Sequence, residues 1–253
     1  MQSPLRCMVQ TLRFPSPSSA ALLAFLMLPG AAVSSDSPNA PEDRLPIVMK
    51  YVDAMHTQQE AMKGVEMQVD IDAKIPRLEK HGRLTALRMI SRLGVITYKA
   101  LGFSGDNTVK QEVITRYLAA ESEGRESGKI AISPANYKFK VKSEQEQKGR
   151  RIVVLQITPR KKAIGLFKGE LWVDAESGMP VRESGQFVKS PSVFLKKISF
   201  VRDYDIQNGV SIPAHIESMV DTRIAGRAEL EISFSNFMRQ VGDDDAAGAQ
   251  ANP

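Results

Sequence analysis

The chain has 253 residues, 42% of them hydrophobic and 25% charged, with 17 glycines and 14 prolines. That composition fits one globular domain, or at most two small ones, and excludes a disordered, collagen-like or polytopic membrane chain. The formal charge of +5 and the single cysteine would suit a nucleic-acid partner or a thiol nucleophile, yet Cys7 and two of the cations precede residue 34.

Arg6 and Arg13 come before the apolar run 20–28, Pro29 and Gly30 close that run, and small residues follow through Ser35. This is the order of a secretory signal peptide, so residues 1–34 are expected to be removed on export. The run is too short to span a membrane, which takes about 20 apolar residues. Cys7 lies before the run, whereas a lipid-modified cysteine would follow it, so no lipid anchor is expected. Without Arg6 and Arg13 the chain keeps 32 basic and 29 acidic side chains, a charge of +3, and no cysteine. No Lys/Arg run is interleaved with aromatics as a nucleic-acid groove requires. Thiolate catalysis and cysteine-held metals are excluded as well.

Residues 35–42 read as a linker. Asp43 offers an N-cap, Pro46 falls in the first turn, and Leu45, Val48, Met49, Val52, Met55 and Met62 recur at helical spacing before Gly64. An amphipathic helix of about five turns follows from that spacing. Strands are expected at 65–75, 81–92 and 94–103. A second helix should start at Thr108 and Gln111, which have capping-box spacing, and run through Val109, Val113, Ile114, Tyr117 and Leu118 to Gly124.

The rest of the chain alternates. Tyr137, Phe139 and Val141 oppose Lys138, Lys140 and Lys142, and Leu230, Ile232 and Phe234 oppose Glu229, Glu231, Ser233 and Ser235, the period-two pattern of strands with one wet face. Strands are expected near 136–143, 151–158, 169–174, 180–188, 193–204, 210–224 and 228–238. Asn208-Gly209 is the strongest hairpin turn between them. No helical pattern separates these strands, so the sheet should be antiparallel. The fold class is mainly β (α+β): one large curved antiparallel sheet with amphipathic helices on its concave side, over a single domain at 43–241. Residues 242–253 read as a disordered acidic tail. A membrane-spanning barrel is disfavoured, because Lys138, Lys140, Lys142, Glu229 and Glu231 would face lipid and 16 aromatics are few for two girdles.

No chemistry-bearing constellation appears. His56, His81 and His215 lack the paired spacing of a metal site. Asp53 and His56 lie one turn apart on a helix, the spacing of an ordinary surface pair. Asp203 and Asp205 flank a turn where solvated acids are common. Neither a nucleophile elbow nor a phosphate-binding glycine loop is present. No catalytic residue, metal or cofactor is expected.

The run Gly169-Glu-Leu-Trp-Val-Asp-Ala-Glu-Ser-Gly-Met-Pro-Val-Arg182, then Lys189-Ser-Pro-Ser-Val-Phe-Leu-Lys-Lys197, then Tyr204 to Pro213, resembles the C-terminal half of the LolA-like family of periplasmic outer-membrane lipoprotein-sorting proteins. The resemblance covers about residues 130–238, and the leading amphipathic helix fits the family's usual start. It implies an unclosed barrel whose helices cover an apolar cavity for acyl chains. Carriers of that family use an arginine near the cavity, which no motif places in this chain.

On that reading the cavity wall would be Leu155, Leu171, Phe187, Ile198, Phe200, Leu230, Ile232 and Phe234. The same residues equally suit a filled core. Met49, Met55 and Met62 would suit a plastic lid, since thioethers repack easily, or plain core. Ile164, Leu166 and Phe167 flank Gly165 at an expected hairpin tip, where apolar side chains mark a docking or membrane-touching rim unless a lid covers them. Arg150, Arg151, Arg160, Lys161 and Lys162 form a solvated basic rim or a surface for lipid phosphates. The resemblance thus implies a periplasmic, non-enzymatic carrier or chaperone for lipoprotein or lipid acyl chains, and the apolar tip and basic rim add the expectation of peripheral membrane contact. The alternative is an envelope sensor or scaffold domain of the same fold that binds an envelope protein partner and transports nothing.

Overall fold

The computed structural model describes residues 45–124 and 129–239. The expected leader, linker and acidic tail, and Asp43, lie outside them. Ten strands form one antiparallel sheet: β1 (Val65–Ile75), β2 (Lys80–Ile90), β3 (Ile96–Gly105), β4 (Tyr137–Gln147), β5 (Arg150–Pro159), β6 (Phe167–Asp174), β7 (Pro180–Phe187), β8 (Leu195–Gln207), β9 (Val210–Thr222) and β10 (Arg227–Arg239). Their order is β3-β2-β1-β10-β9-β8-β7-β6-β5-β4. Every strand pairs with a neighbour in sequence except at β1, which also pairs with β10. β3 and β4 are unpaired edges, so the sheet is open, and a sheet this wide curls under its own twist.

Helical segments complete the described residues: one before β1, three between β3 and β4, and a 3-10 turn at Pro76–Leu78 between β1 and β2. α1 (Pro46–Ala61) has proline in its first turn, as expected, but Leu45 occupies the N-cap position and makes no side-chain cap bond. Between β3 and β4 run α2 (Asn107–Val109), a π-helical stretch (Lys110–Thr115) and α3 (Arg116–Gly124). The cap of this segment is Asp106 and not Thr108. Its carboxylate accepts from Thr108 N at 2.7 Å and Val109 N at 3.4 Å, the geometry that satisfies two orphan donors of a helix start.

Alternation sets the two faces. In β1, Val65, Met67, Val69, Ile71, Ala73 and Ile75 are buried while the residues between them keep contact with water. Asn208 and Gly209 both adopt positive φ, 51° and 76°, the requirement of the tight hairpin turn that joins β8 to β9. Gly169 opposes Gly185 across β6 and β7, and a Cβ on Gly169 would stand 1.9 Å from the Ser184 carbonyl oxygen. The glycine opening the Leu-Trp-Val-Asp run is therefore required by close backbone approach.

The buried apolar residues fall into two clusters. One lies between α2–α3 and the strands β1, β2, β3, β9 and β10, and includes Val69, Ile71, Ala86, Val109, Ile114, Leu230 and Ile232. The other lies between α1 and the strands β4, β5, β6 and β8, with Val48, Tyr51, Phe139, Leu155, Leu171 and Phe200. Each helical cover thus has its own half of the sheet.

Candidate functional site

The eight expected wall residues do not line one surface. Leu155, Leu171 and Phe200 are buried in the α1 cluster, with Phe187 packed against it. Leu230 and Ile232 are buried in the α2–α3 cluster, with Phe234 packed against that one. Ile198 is half-buried and belongs to neither. Phe200 joins an aromatic chain, its ring centroid 4.8 Å from that of Phe167 and 5.3 Å from that of Phe187.

Other expected positions move. Met49 is exposed, Met55 packs on the α1 cluster, and Met62, beyond the end of α1, is buried in the other cluster. The face of α1 that meets the sheet is instead Val48, Tyr51, Ala54 and Gln58, spaced at three to four residues. At the expected rim only Ile164 is exposed. Leu166 and Phe167 are buried in the α1 cluster, because the strand starts at Phe167 and not at Gly169 and carries them under the helix.

What the sequence reading missed is polar. Arg88, on the inward face of β2, is 1% exposed and reaches Glu121 of α3, Nη2 to Oε1, at 2.9 Å. Its Nε donates to the Tyr98 hydroxyl at 3.2 Å, and that hydroxyl donates to Glu121 Oε2. Burial alone would lower the Arg88 pKa, but the charge of Glu121 and the bonds to Tyr98 and Glu121 prevail and hold it charged. Burial and then Glu121 push Tyr98 well up, so its hydroxyl stays a donor. A cation, an acid and a phenol therefore latch α3 to β2 and β3.

A second set of polar bonds holds α1. Gln58 donates through Nε2 to the Ser211 carbonyl and accepts from Ser211 N at 2.8 Å, while Ser211 Oγ donates to the Pro180 carbonyl at 2.7 Å. Lys50 Nζ donates to the carbonyls of Ala175 at 3.0 Å and Glu176 at 2.8 Å. Between the two covers stands Arg202 of β8, 3.4 Å from Glu183 of β7 and 4.7 Å over the Phe200 ring. Burial opposes its charge, but Tyr204, Glu183, Tyr117 and Glu121 outweigh that and raise its pKa. Tyr51 of α1 is also pushed up, by burial first and by Glu183 next. The concave face is thus two apolar halves divided by a seam of arginines, acids and tyrosines.

The signal for Arg88 was present in the sequence. Leu84, Ala86, Arg88 and Ile90 alternate inward, so Arg88 is a charge on an apolar strand face. Such a charge needs a partner. Glu121 could not be chosen for that role, since it lies 33 residues away on a different element.

Two openings flank the covered face. One, of about 290 Å³, is lined by Met67, Ile212, Phe234 and Phe237 with Asp205 and Asn236. The other, of about 580 Å³, lies at the opposite end of the strands, between Arg77, Lys196, Asp221 and Arg227. Among the described residues no group of three or more His, Cys, Asp or Glu could hold a metal, and no helix is long and apolar enough to cross a membrane.

No family model matches this chain, and no curated protein does. Solved structures show likenesses. A DUF1329 family protein from Desulfovibrio piger is 15% identical with a TM-score of 0.40, over 78% of this chain and 94% of that one. A LolA superfamily protein from Nitrosomonas europaea is 12% identical with a TM-score of 0.35, over 78% and 96%. A domain named for outer membrane lipoprotein sorting, from Vibrio parahaemolyticus, is 13% identical with a TM-score of 0.37, over 79% and 96%. At such values the open-sheet assignment rests on the strand order and not on these likenesses. The second of these solved chains bears the name of the family that residues 169–213 resemble, the LolA-like proteins.

Proposed function

We propose that the protein is a non-enzymatic periplasmic carrier or chaperone that shelters acyl chains of a lipoprotein or lipid beneath its helical covers. The observation that carries this reading is the way the covers are held. Each sits on an apolar half of the concave face, and each is fastened by a few discrete polar bonds, Arg88 to Glu121 for α3 and Gln58 to Ser211 for α1. An acyl chain that buries ten methylenes gains about 8 kcal/mol. Deleting one partner of a buried ion pair costs about 3–5 kcal/mol, an upper bound for a latch that opens with both partners reaching water. Glu121 is already partly wet. A chain of that length replaces the apolar contacts the cover gives up, which leaves the latch as the discrete cost of opening. The resemblance of residues 169–213 to LolA-like proteins supports acyl chains as the ligand class.

A second reading rests on a different observation. Leu155, Leu171 and Ile232 are fully buried, so with the covers in place each cluster is filled. An envelope sensor or scaffold of the same fold would keep it so and act through a protein partner. Native mass spectrometry of protein recovered from the periplasm separates the two. A mass increment of one lipid or lipopeptide supports carriage; a ligand-free species that co-purifies with one envelope protein supports the second reading and overturns the first.

A further inference from the structure

Three turns adjoin at one end of the strands: 76–79 between β1 and β2, 188–194 between β7 and β8, and 223–226 between β9 and β10. Backbone and side-chain contacts tie them together. Arg223 N donates to the Phe194 carbonyl at 2.9 Å, Arg223 Nε donates to the Val193 carbonyl at 2.7 Å, and a Cβ on Gly226 would stand 3.1 Å from the side chain of Arg77. The turns are also braced internally, by Thr222 Oγ1 on the Gly226 carbonyl at 2.8 Å and by Ser190 Oγ on the Ser192 carbonyl at 2.9 Å.

These braced turns hold apolar side chains out in water. Val193 is 76% exposed, Ile224 74%, Phe194 59% and Leu78 45%. A single exposed apolar residue needs no explanation, but four on adjoining turn tips form a patch. Charge decides what the patch meets. Residues 76–80, 188–197 and 221–229 hold seven cations and three acids; with Arg227 paired to Asp221 at 2.9 Å and Lys80 to Asp106 at 3.3 Å, five cations and two acids remain outside those pairs. The groove of about 580 Å³ between the turns is walled by Arg77 and Lys196 as well as the Asp221–Arg227 pair.

We infer that this end of the sheet docks on an anionic lipid surface, with Val193, Phe194, Ile224 and Leu78 entering the headgroup region. Arg77, Lys196 and Arg223 then face lipid phosphates. Apolar tips within a cationic ring are the two components of interfacial binding: apolar burial plus attraction to anionic headgroups. A second copy of the chain would bring the same cation excess against it, so self-association is disfavoured. The inference does not rest on acyl carriage, since the patch lies outside both apolar clusters.

Flotation of the purified protein with phosphatidylglycerol/phosphatidylcholine vesicles tests it, at low and high salt. The wild type is expected to float with anionic vesicles and to be released from them by salt. Phe194→Ser with Ile224→Ser should weaken binding at least tenfold at an unchanged melting temperature. Arg223→Gln with Lys196→Gln should remove the preference for anionic over pure phosphatidylcholine vesicles. Leu93→Ser with Val95→Ser, exposed at the far end of the strands, should change neither. No vesicle binding by the wild type overturns the inference. So does equal loss in the Leu93/Val95 control, or a patch that drives dimer formation in solution and binds no vesicle. Acyl-chain binding should be intact in the Phe194/Ile224 variant, which keeps a failure here distinct from a failure of the carrier reading.

Discussion

Arg88 Nη2 and Glu121 Oε1 stand 2.9 Å apart and join the inward face of β2 to the cover α3. Removing one member of a buried pair leaves the other charge uncompensated. Arg88→Ala should therefore destabilise the protein by about 3 kcal/mol in urea titration. Arg88→Met combined with Glu121→Gln should recover part of that loss, since no buried charge remains. Equal losses in the single and double variants would show that the pair is not a unit.

Gln58 tests the other cover. It exchanges two hydrogen bonds with the backbone of Ser211 in a buried setting. Gln58→Ala should cost about 1–3 kcal/mol, the range for stranding buried backbone groups. Hydrogen exchange should quicken in α1 and stay unchanged in α3, because the two covers are fastened separately. Quickening in both would mean that they open as one body.

The rim residues separate sequence expectation from structure. Leu166 is fully buried and Ile164 is exposed, so Leu166→Ala should cost about 2–5 kcal/mol. Ile164→Ser should stay within about 0.5 kcal/mol of wild type. Thermal melts of the two variants suffice.

Acid should weaken the fold through Asp174. Burial would raise its pKa, but the backbone and hydroxyl bonds of Ser177, at 2.7 Å each, and then Arg150 lower it below 3.8. A carboxyl with a lower pKa folded than unfolded stabilises the protein above the unfolded value, and that contribution fades as pH falls through the folded one. Stability measured in urea at pH 7 and pH 3 should therefore drop, and it should drop less in Asp174→Ala, which starts lower. An equal drop in both proteins would remove Asp174 from the account.

Local patterns made the strands legible. The alternation of β1 and β10 and the Asn208-Gly209 turn needed nothing beyond near neighbours in sequence, and each of the ten strands overlaps an expected segment, although ends such as those of β4 and β6 lie elsewhere. The concave face was less legible because its order is set by distant partners. Leu155 and Leu230 read alike as inward strand residues, yet they lie under different helices. Which cover meets which half depends on the β1–β10 pairing and on where the 107–124 segment crosses, and neither leaves a local mark. Asp106 displaced Thr108 as cap because Asp is the stronger N-cap residue and stands directly after the end of β3. Arg88 was visible as an inward charge, but its partner was not.

The central claim is that the covers open to admit an acyl chain. Titrating the protein with cis-parinaric acid, a fluorescent fatty acid, while following hydrogen exchange tests it most directly. The account predicts saturable binding, faster exchange in α3 or α1 on binding, and tighter binding by Arg88→Met/Glu121→Gln, in which the latch is already released. Absence of saturable binding, or binding that leaves exchange in both covers unchanged, would contradict it.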